Sequence, residues 1–413
     1  MLILVANLGS TSFKFRLFRF AEGGEGAARA TGAPGYGEEE LAKGGVERIG
    51  RADARTYVEW KGQKRESTGL VADHAAAIEA CLGLLRNPAA GVLAAGEKLD
   101  GIGFKAVHGG DVTGAQLVTK KVIAALEEFA EVAPAHNPIY VEAMRLLQAK
   151  MPSVPLVVAF ETGFHQTIPA ARREYAVPRS WSKLGIRRYG FHGASHRYVA
   201  ERMVQLQGRN NLSIISCHLG GSSSLCAIED GKSIATSMGF SPQSGLPQGT
   251  RVGDLDVFAL AYAVRKTGRP VKALFEELES RGGLAGLSGG ESDVRELQRD
   301  AALERDEDAR RALLVYVEAV RHYLGAYWAA LNGARFLVFT GGIGENAPQL
   351  RAQICDRLDG LGIVLHPERN AMASGEGAIH LPESKVQIWV VPTNEEIIVA
   401  RQTREVVAGA SRN

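Results

Sequence analysis

The chain lacks most features that would announce a special environment. Its four cysteines, Cys81, Cys217, Cys226 and Cys355, are scattered through 413 residues and form no CxxC pair or Cys/His zinc spacing. That argues against a disulfide framework and a structural zinc, and reduced thiols in a cytoplasmic protein are expected. An excess of charge is also missing, since 48 Lys and Arg stand against 46 Asp and Glu for a formal net charge of +2. A balance of this kind leaves no electrostatic footprint for nucleic acid or an anionic membrane, and neither partner is expected. No apolar run approaches the ~20 residues that span a bilayer. The first residues enter a strand-like run without a basic stretch and apolar core before it, so no export signal is expected. What is left, 45% hydrophobic and 23% charged, is ordinary for a globular enzyme and long enough for two domains.

Two stretches about 200 residues apart repeat one device. Leu2–Val5 is an apolar run that ends in Asn7-Leu8-Gly9-Ser10-Thr11-Ser12 and resumes as Phe13-Lys14-Phe15-Arg16-Leu17. Ile214–Cys217 is another, ending in His218-Leu219-Gly220-Gly221-Ser222-Ser223-Ser224 before Leu225-Cys226-Ala227-Ile228. Each predicts a β-hairpin whose turn is built from glycine and hydroxyl residues. Glycine lets backbone N–H groups turn toward an anion with no Cβ in the way, and the hydroxyls of Ser10, Ser12 and Ser222 add donors. Two such turns suit a polyphosphate, and phosphoryl transfer is the expected chemistry.

Along the rest of the chain, helices are expected over Asp73–Leu85, Val122–Val132 (closed by Pro134), Val257–Thr267, Val271–Arg281 and about Asp308–Leu331. Buried strands are expected over Leu99–Val107, Val154–Phe160, Phe336–Thr340 and Val386–Val391, with a helix at the C-terminal end. Residues 21–45, rich in Gly, Ala and Glu, read as a surface excursion and not a core element. The alternation gives an α/β chain, and the repeated hairpin predicts duplicated halves, each with a mixed sheet and a phosphate turn.

Phosphoryl transfer needs positioning and positive charge around the moving group. Candidate donors are Lys14, Lys105, His108, His192, Arg251 and Arg295. Arg251 is held between glycines in Gly249-Thr250-Arg251-Val252-Gly253, an unusual setting for a solvated charge. Lys14 alternates with Phe13 and Phe15, a pattern that also fits a plain solvent-facing strand position. Glu161 and Glu395 follow strand ends and could hold Mg²⁺ directly or through water. Gly341-Gly342-Ile343-Gly344-Glu345-Asn346 lacks the dinucleotide GxGxxG spacing and reads instead as a loop packing against a nucleoside.

The motifs Asn7–Lys14, Val107-His108-Gly109-Gly110, Ala133–Pro138, Arg187–His196, Thr236–Phe240, Gly249–Asp256, Gly342–Asn346 and Pro392–Glu396, in this order along the chain, closely resemble acetate kinases. The resemblance implies two duplicated actin-like (ribonuclease H-like) domains with a nucleotide cleft between them. Their expected extents are residues 1–160 completed by about 395–413, and residues 161–394. It implies reversible transfer between ATP and a short-chain carboxylate, giving ADP and an acyl phosphate, by a homodimer using Mg²⁺ (or Mn²⁺). Position by position, Asn7 and Glu395 match metal-site residues, and Glu161, His192 and Arg251 match catalytic ones. Lys14, His218, Leu219, Gly220, Gly221, Ser222, Asp293, Val294, Arg295 and Gly342–Asn346 (with Ile343, Gly344 and Glu345) match nucleotide contacts. Lys105, Val107, Ala135, Phe191 and Pro242 match the acyl-substrate site.

The match has departures. The family usually has arginine at Lys105, aspartate at Glu161, an Asn-Gly pair at Gly221-Ser222, and leucine at Ala135. Arginine grips a carboxylate with two parallel hydrogen bonds where lysine offers a point charge. Losing the leucine side chain opens room for propionate or butyrate, each buried methylene being worth ~0.8 kcal/mol. A propionate or butyrate kinase, or a nucleotide-binding homologue with weakened catalysis, are the alternatives these departures allow. The acceptor is already ionised at neutral pH, so Glu161 is expected to orient the metal or its water and not to act as a base.

Overall fold

Leu2–Gly9 (β1) is apolar on nearly every residue because it is covered on both faces, as the central strand of a sheet is. The computed structural model describes residues 1–21, 37–133, 136–302 and 306–410. The chain divides into two compact units, one of Met1–Gly163 with Asn394–Asn413, the other of Phe164–Thr393.

In the first unit, β1 pairs antiparallel with β2 (Ser12–Phe20) through the two-residue turn Ser10-Thr11. The sheet continues outward through β3 (Glu38–Glu47), β4 (Ala54–Trp60) and β5 (Gln63–Gly69). On the other side of β1 lie β6 (Gly101–Ala106) and β8 (Leu156–Phe160), both parallel to it in direction, then the short antiparallel β7 (Ala115–Leu117). The helix Glu395–Ala410 packs on β1, β6 and β8. It lies so close that a Cβ on Gly103 would collide with Thr403 Oγ1, which explains glycine in a buried strand. Asn394 Oδ1 accepts from Ile397 N–H at 3.1 Å, capping that helix and placing Glu395 and Glu396 in its first turn.

The second unit repeats the plan. β9 (Ser213–His218), β10 (Ser224–Glu229) and β11 (Lys232–Thr236) form an antiparallel meander. β12 (Phe336–Thr340) and β14 (Gln387–Val390) extend it in parallel, with β13 (Gly377–Ala378) antiparallel at the edge. The order β11-β10-β9-β12-β14-β13 matches β3-β2-β1-β6-β8-β7 strand for strand, and β4 and β5 are the first unit's additions. The duplication read from the two hairpins is thus a duplication of whole sheets. The long helix Glu307–Ala330 covers the second sheet, and Asp306 caps it by accepting from the N–H groups of Asp308 and Ala309. A cap of this type is worth ~1 kcal/mol.

Two expectations are corrected. Residues 38–45 are not an excursion: they belong to β3, where Leu41, Ala42 and Val46 face the core. Pairing with β2 supplies the order that the weak local pattern does not. Residues 22–36 lie outside the described residues. The helices Asn137–Lys150 and Gly193–Gln207 were not anticipated; in the second, Ser195, His196, Val199, Ala200 and Met203 form the buried face. Pro134, proposed as a helix stop, lies outside the described residues, and the helix before it ends earlier, at Glu128.

Candidate active site

In the first unit, polar groups gather where β1, β6 and β8 end. Asn7 faces Lys14 across the β1–β2 pair, and Lys14 is exposed. The Asn7 Nδ2 donates to Glu396 Oε1 at 3.3 Å, which leaves its amide oxygen as the ligating atom it can offer. Ser10 lies in the exposed turn and Ser12 follows it at the start of β2.

Lys105, near the end of β6, ion-pairs with Glu395 and lies 3.5 Å from Glu161 Oε1. The Glu161 backbone N–H donates to Ala106 O at 2.8 Å, so β6 fixes both partners. Burial works against the Lys105 charge, but Glu395 and Glu161 outweigh it and hold the ammonium well above its ordinary range. Glu161 is 5% exposed, and Val107 next along is half-buried. Ala135 lies outside the described residues.

The oxygen donors gathered here are of the kind that could hold a divalent ion. Glu395, Glu161 and the Asn7 amide offer hard oxygens, and three carboxylates (with Glu396) face the single ammonium of Lys105 and Arg16, 3.9 Å from Glu396. Among the described residues no group of three or more His, Cys, Asp or Glu is placed to hold a metal ion by itself. These oxygens could hold a divalent ion only together with ligands from elsewhere, such as phosphate or water.

His108 does not join this group. It is fully buried, its Nδ1 accepts from Gly110 N–H at 3.0 Å, and its ring stacks on Phe129 at 4.3 Å. It builds a turn and is withdrawn as a phosphate donor.

In the second unit, everything converges on the β9–β10 turn. The Arg251 Nη1 donates to Ser222 Oγ at 3.1 Å and to Gln248 Oε1 at 3.2 Å, while Ser222 Oγ donates to Gln248 Oε1 at 2.7 Å. Gly249 N–H also donates to Gly221 O at 3.1 Å, so the arginine loop is pinned to the turn twice. Burial lowers the Arg251 pKa, with Glu279 opposing, yet a guanidinium stays charged at neutral pH.

His192 stands at the start of the helix Gly193–Gln207 with φ of 55°, a left-handed conformation uncommon for a non-glycine residue. Its Nδ1 lies 2.9 Å from Ser224 Oγ, and its ring stacks on His218 at 4.2 Å. His218 Nδ1 is 2.7 Å from Ser195 Oγ, and Thr393 Oγ1 donates to Ser195 Oγ at 3.0 Å. The buried His196 reaches Ser216 and Ser224, each at 2.9 Å. Phe191 is buried and its carbonyl accepts from His165 Nε2 at 2.9 Å; Pro242 O accepts from Gln248 Nε2 at 2.8 Å.

The loop Gly341–Asn346 is a short helix tied to the same turn. Leu219 O accepts from Ile343 and Gly344 N–H at 2.8 and 3.0 Å, and Gly341, at φ of 78°, has no room for a Cβ against Leu219 O. Glu345 Oε1 accepts from Gly341 and Thr393 N–H, and Asn346 Nδ2 donates to Gly342 O. Arg351, buried, holds the carbonyls of Gly344 and Glu345 at 2.8 Å each. The side chains of Leu219 and Val294 lie in the core of this unit. Asp293 caps the helix Val294–Ala302 and pairs with the exposed Arg295.

Sequence reasoning missed Gln248, Ser224, Ser195 and Glu396. The spacing of His192, Ser195 and His196 along one helix face was the available signal for two of the contacts.

The sequence profile of the acetokinase family matches residues 2–401. The chain is 40% identical over 403 residues to the acetate kinase of Geobacillus kaustophilus, covering 97% of each. Among solved structures, it is similar to Porphyromonas gingivalis acetate kinase at a TM-score of 0.84 and 34% identity, covering 98% of this chain and 99% of that one. It is also similar to a propionate kinase from Francisella tularensis at 0.83 and 32%, with the same coverage.

Proposed function

The chain belongs to the acetokinase family and is a kinase with a carboxyl group as acceptor, and from that premise we propose that it converts ATP and acetate reversibly to ADP and acetyl phosphate by direct in-line transfer. The observation that carries the reading is the single turn His218–Ser224. It receives Arg251 at Ser222, takes His192 at Ser224, and bonds to the Gly341–Asn346 loop through Leu219.

An oxygen of the acceptor carboxylate attacks the γ-phosphorus while the bond from phosphorus to the β–γ bridging oxygen breaks, and that electron pair leaves on ADP. No general base is required, because the acceptor is already ionised. Arg251 and His192 bind the equatorial oxygens, where charge is spread in a loose transition state. The glycine turn and Gly342–Asn346 hold the nucleotide, with Lys14, Asp293 and Arg295 as outer contacts. Lys105 orients the acceptor, and Val107, Ala135, Phe191 and Pro242 limit its size. Asn7 and Glu395, with Glu161 beside them, would hold Mg²⁺ or Mn²⁺, which when bound supplies positive charge to the β- and γ-phosphate oxygens.

A longer acid is the second reading, favoured by alanine at position 135 and by the similarity to a propionate kinase. Trapping acyl phosphate as hydroxamate with ATP and acetate, propionate or butyrate tests both. Product with none of the three acids refutes catalysis of this type, and a clear preference for acetate removes the second reading. The protein is further proposed to act as a cytoplasmic homodimer. No residue of the helix Val257–Thr267 is buried, and Val257 and Phe258 are 76% and 78% exposed, an apolar face suited to a second copy.

A further inference from the structure

Lys105 occupies a position with a consequence for the order of binding. Its ammonium lies between Glu161 at the end of β8 and Glu395 in the first turn of the helix Glu395–Ala410. Glu161 is almost wholly buried, while about a third of the Lys105 side chain is exposed, 32% against 6% for that of Glu161. The ammonium is thus the charge that lets two carboxylates share a site of low dielectric. Without a cation between them, like charges at this separation repel strongly.

The same carboxylate oxygens are those a divalent ion would need. An ammonium and a divalent ion cannot share that gap, since their repulsion would add to the loss of ligands. Lysine is well suited to yield it. Its charge is compact, sits on a flexible four-carbon stem, and can leave by rotation, whereas a guanidinium forked onto a carboxylate is held by two bonds at once. The exposed third of the side chain gives that rotation room.

We propose that Lys105 is the resident counter-ion of the metal-binding carboxylates, displaced when the metal–nucleotide arrives, and that only the displaced ammonium binds the acceptor carboxylate. This rests on the kinase reading above and adds an order to it: metal–nucleotide first, acid second. It also gives Lys105 and Glu161 a joint purpose, as an exchangeable pair in which the cation guards the site until the substrate metal replaces it.

Mn²⁺ binding to the nucleotide-free protein, followed by the electron paramagnetic resonance signal of the free ion, tests the first half. Lys105→Met should bind Mn²⁺ at least about tenfold more tightly than the unaltered protein, and Mn²⁺ should raise its melting temperature more. Lys105→Arg, which keeps the charge, should stay within about threefold. Equal or weaker Mn²⁺ binding by a folded Lys105→Met overturns the proposal. The second half uses the unaltered protein alone, so it decides even if Lys105→Met does not fold. Calorimetric affinity for acetate should rise at least about fivefold when Mg²⁺ and a non-hydrolysable ATP analogue are present, and equal affinity overturns the proposal. Neither readout depends on turnover. Formation of acyl phosphate with no Mn²⁺ or acetate effect sinks this inference and leaves the kinase reading standing; absence of acyl phosphate sinks the kinase reading and, with it, the order proposed here.

Discussion

The Arg251 guanidinium donates to Ser222 Oγ at 3.1 Å, joining the cation to the glycine turn beneath it. Gln248 Oε1 accepts from both, so the three side chains form a closed triangle that fixes the charge before any ligand arrives. Preorganised charge costs no rearrangement during the reaction, and removing one such group typically lowers kcat by about 10²–10³. Arg251→Ala should therefore lose about that much turnover while ADP affinity stays within about threefold. Steady-state kinetics beside calorimetric ADP titration check this, and an unchanged kcat would remove Arg251 from the mechanism.

Ser224 bridges His192 Nδ1 and His196 Nε2, each at 2.9 Å, and is itself fully buried. It has one proton to give, so it fixes which nitrogen of His192 carries hydrogen, in step with His196. Ser224→Ala should leave His192 able to rotate and its tautomer unset. The expected result is a fall in kcat of about tenfold or more, a displaced pH profile, and KM for ATP within about twofold. Stability should drop by ~1–3 kcal/mol for the unmet buried partners. A variant with the same pH profile and kcat as the parent would show that Ser224 only packs.

Much of this site was readable as sequence wherever the signal is local. The two hairpins announce themselves because β1, β2, β9 and β10 are strongly apolar and their turns need glycine and serine. The helix Val257–Thr267 and the strand Phe336–Thr340 fall where periodicity and apolar runs put them. The outer strands β3 and β5 were invisible because alternation is faint in Glu38–Glu47 and nearly every residue of Gln63–Gly69 faces water. Lys105, Glu161 and Glu395 could each be named from motifs. That one ammonium would lie between the other two is a tertiary fact, set by β6 beside β8 and by a helix 290 residues downstream of Lys105. Gln248 carries no motif weight at all and matters only because its loop folds back onto Ser222.

Acid should weaken the protein through its buried histidines. Burial pushes the His165 pKa down to about 4 and that of His196 well below its usual value, the latter helped by His165 and His218. Both are neutral when folded, while the unfolded chain protonates histidine near 6.5. The unfolded state therefore binds more protons as pH falls below ~6.5, and stability drops until the folded pKa is reached. Above ~6.5 neither group contributes a slope. For His165 alone the loss from pH 7 to pH 5 should be ~2 kcal/mol. Urea melts across pH 5–7.5 measure it, and His165→Gln should flatten the slope by that share. A stability profile without slope between pH 5 and 6.5 would contradict the assigned neutral states.

The helix Val257–Thr267 sets the last prediction. Its residues Val257, Phe258 and Tyr262 and the nearby Leu255, Val271 and Phe275 are exposed, and no side chain of that helix is buried within its own unit. A helix of eleven residues gains little from its backbone alone and needs a covered apolar face to persist. If a second copy provides the cover, a charge at the centre of the face must be desolvated in the dimer without a partner. Phe258→Asp should then sediment as a monomer at micromolar concentration where the parent sediments as a dimer. Its far-ultraviolet circular dichroism should lose about one helix's worth of signal or none, since the sheets and their cores lie elsewhere. A parent protein that is monomeric at these concentrations, or a Phe258→Asp variant that stays dimeric, would place any subunit contact on another face.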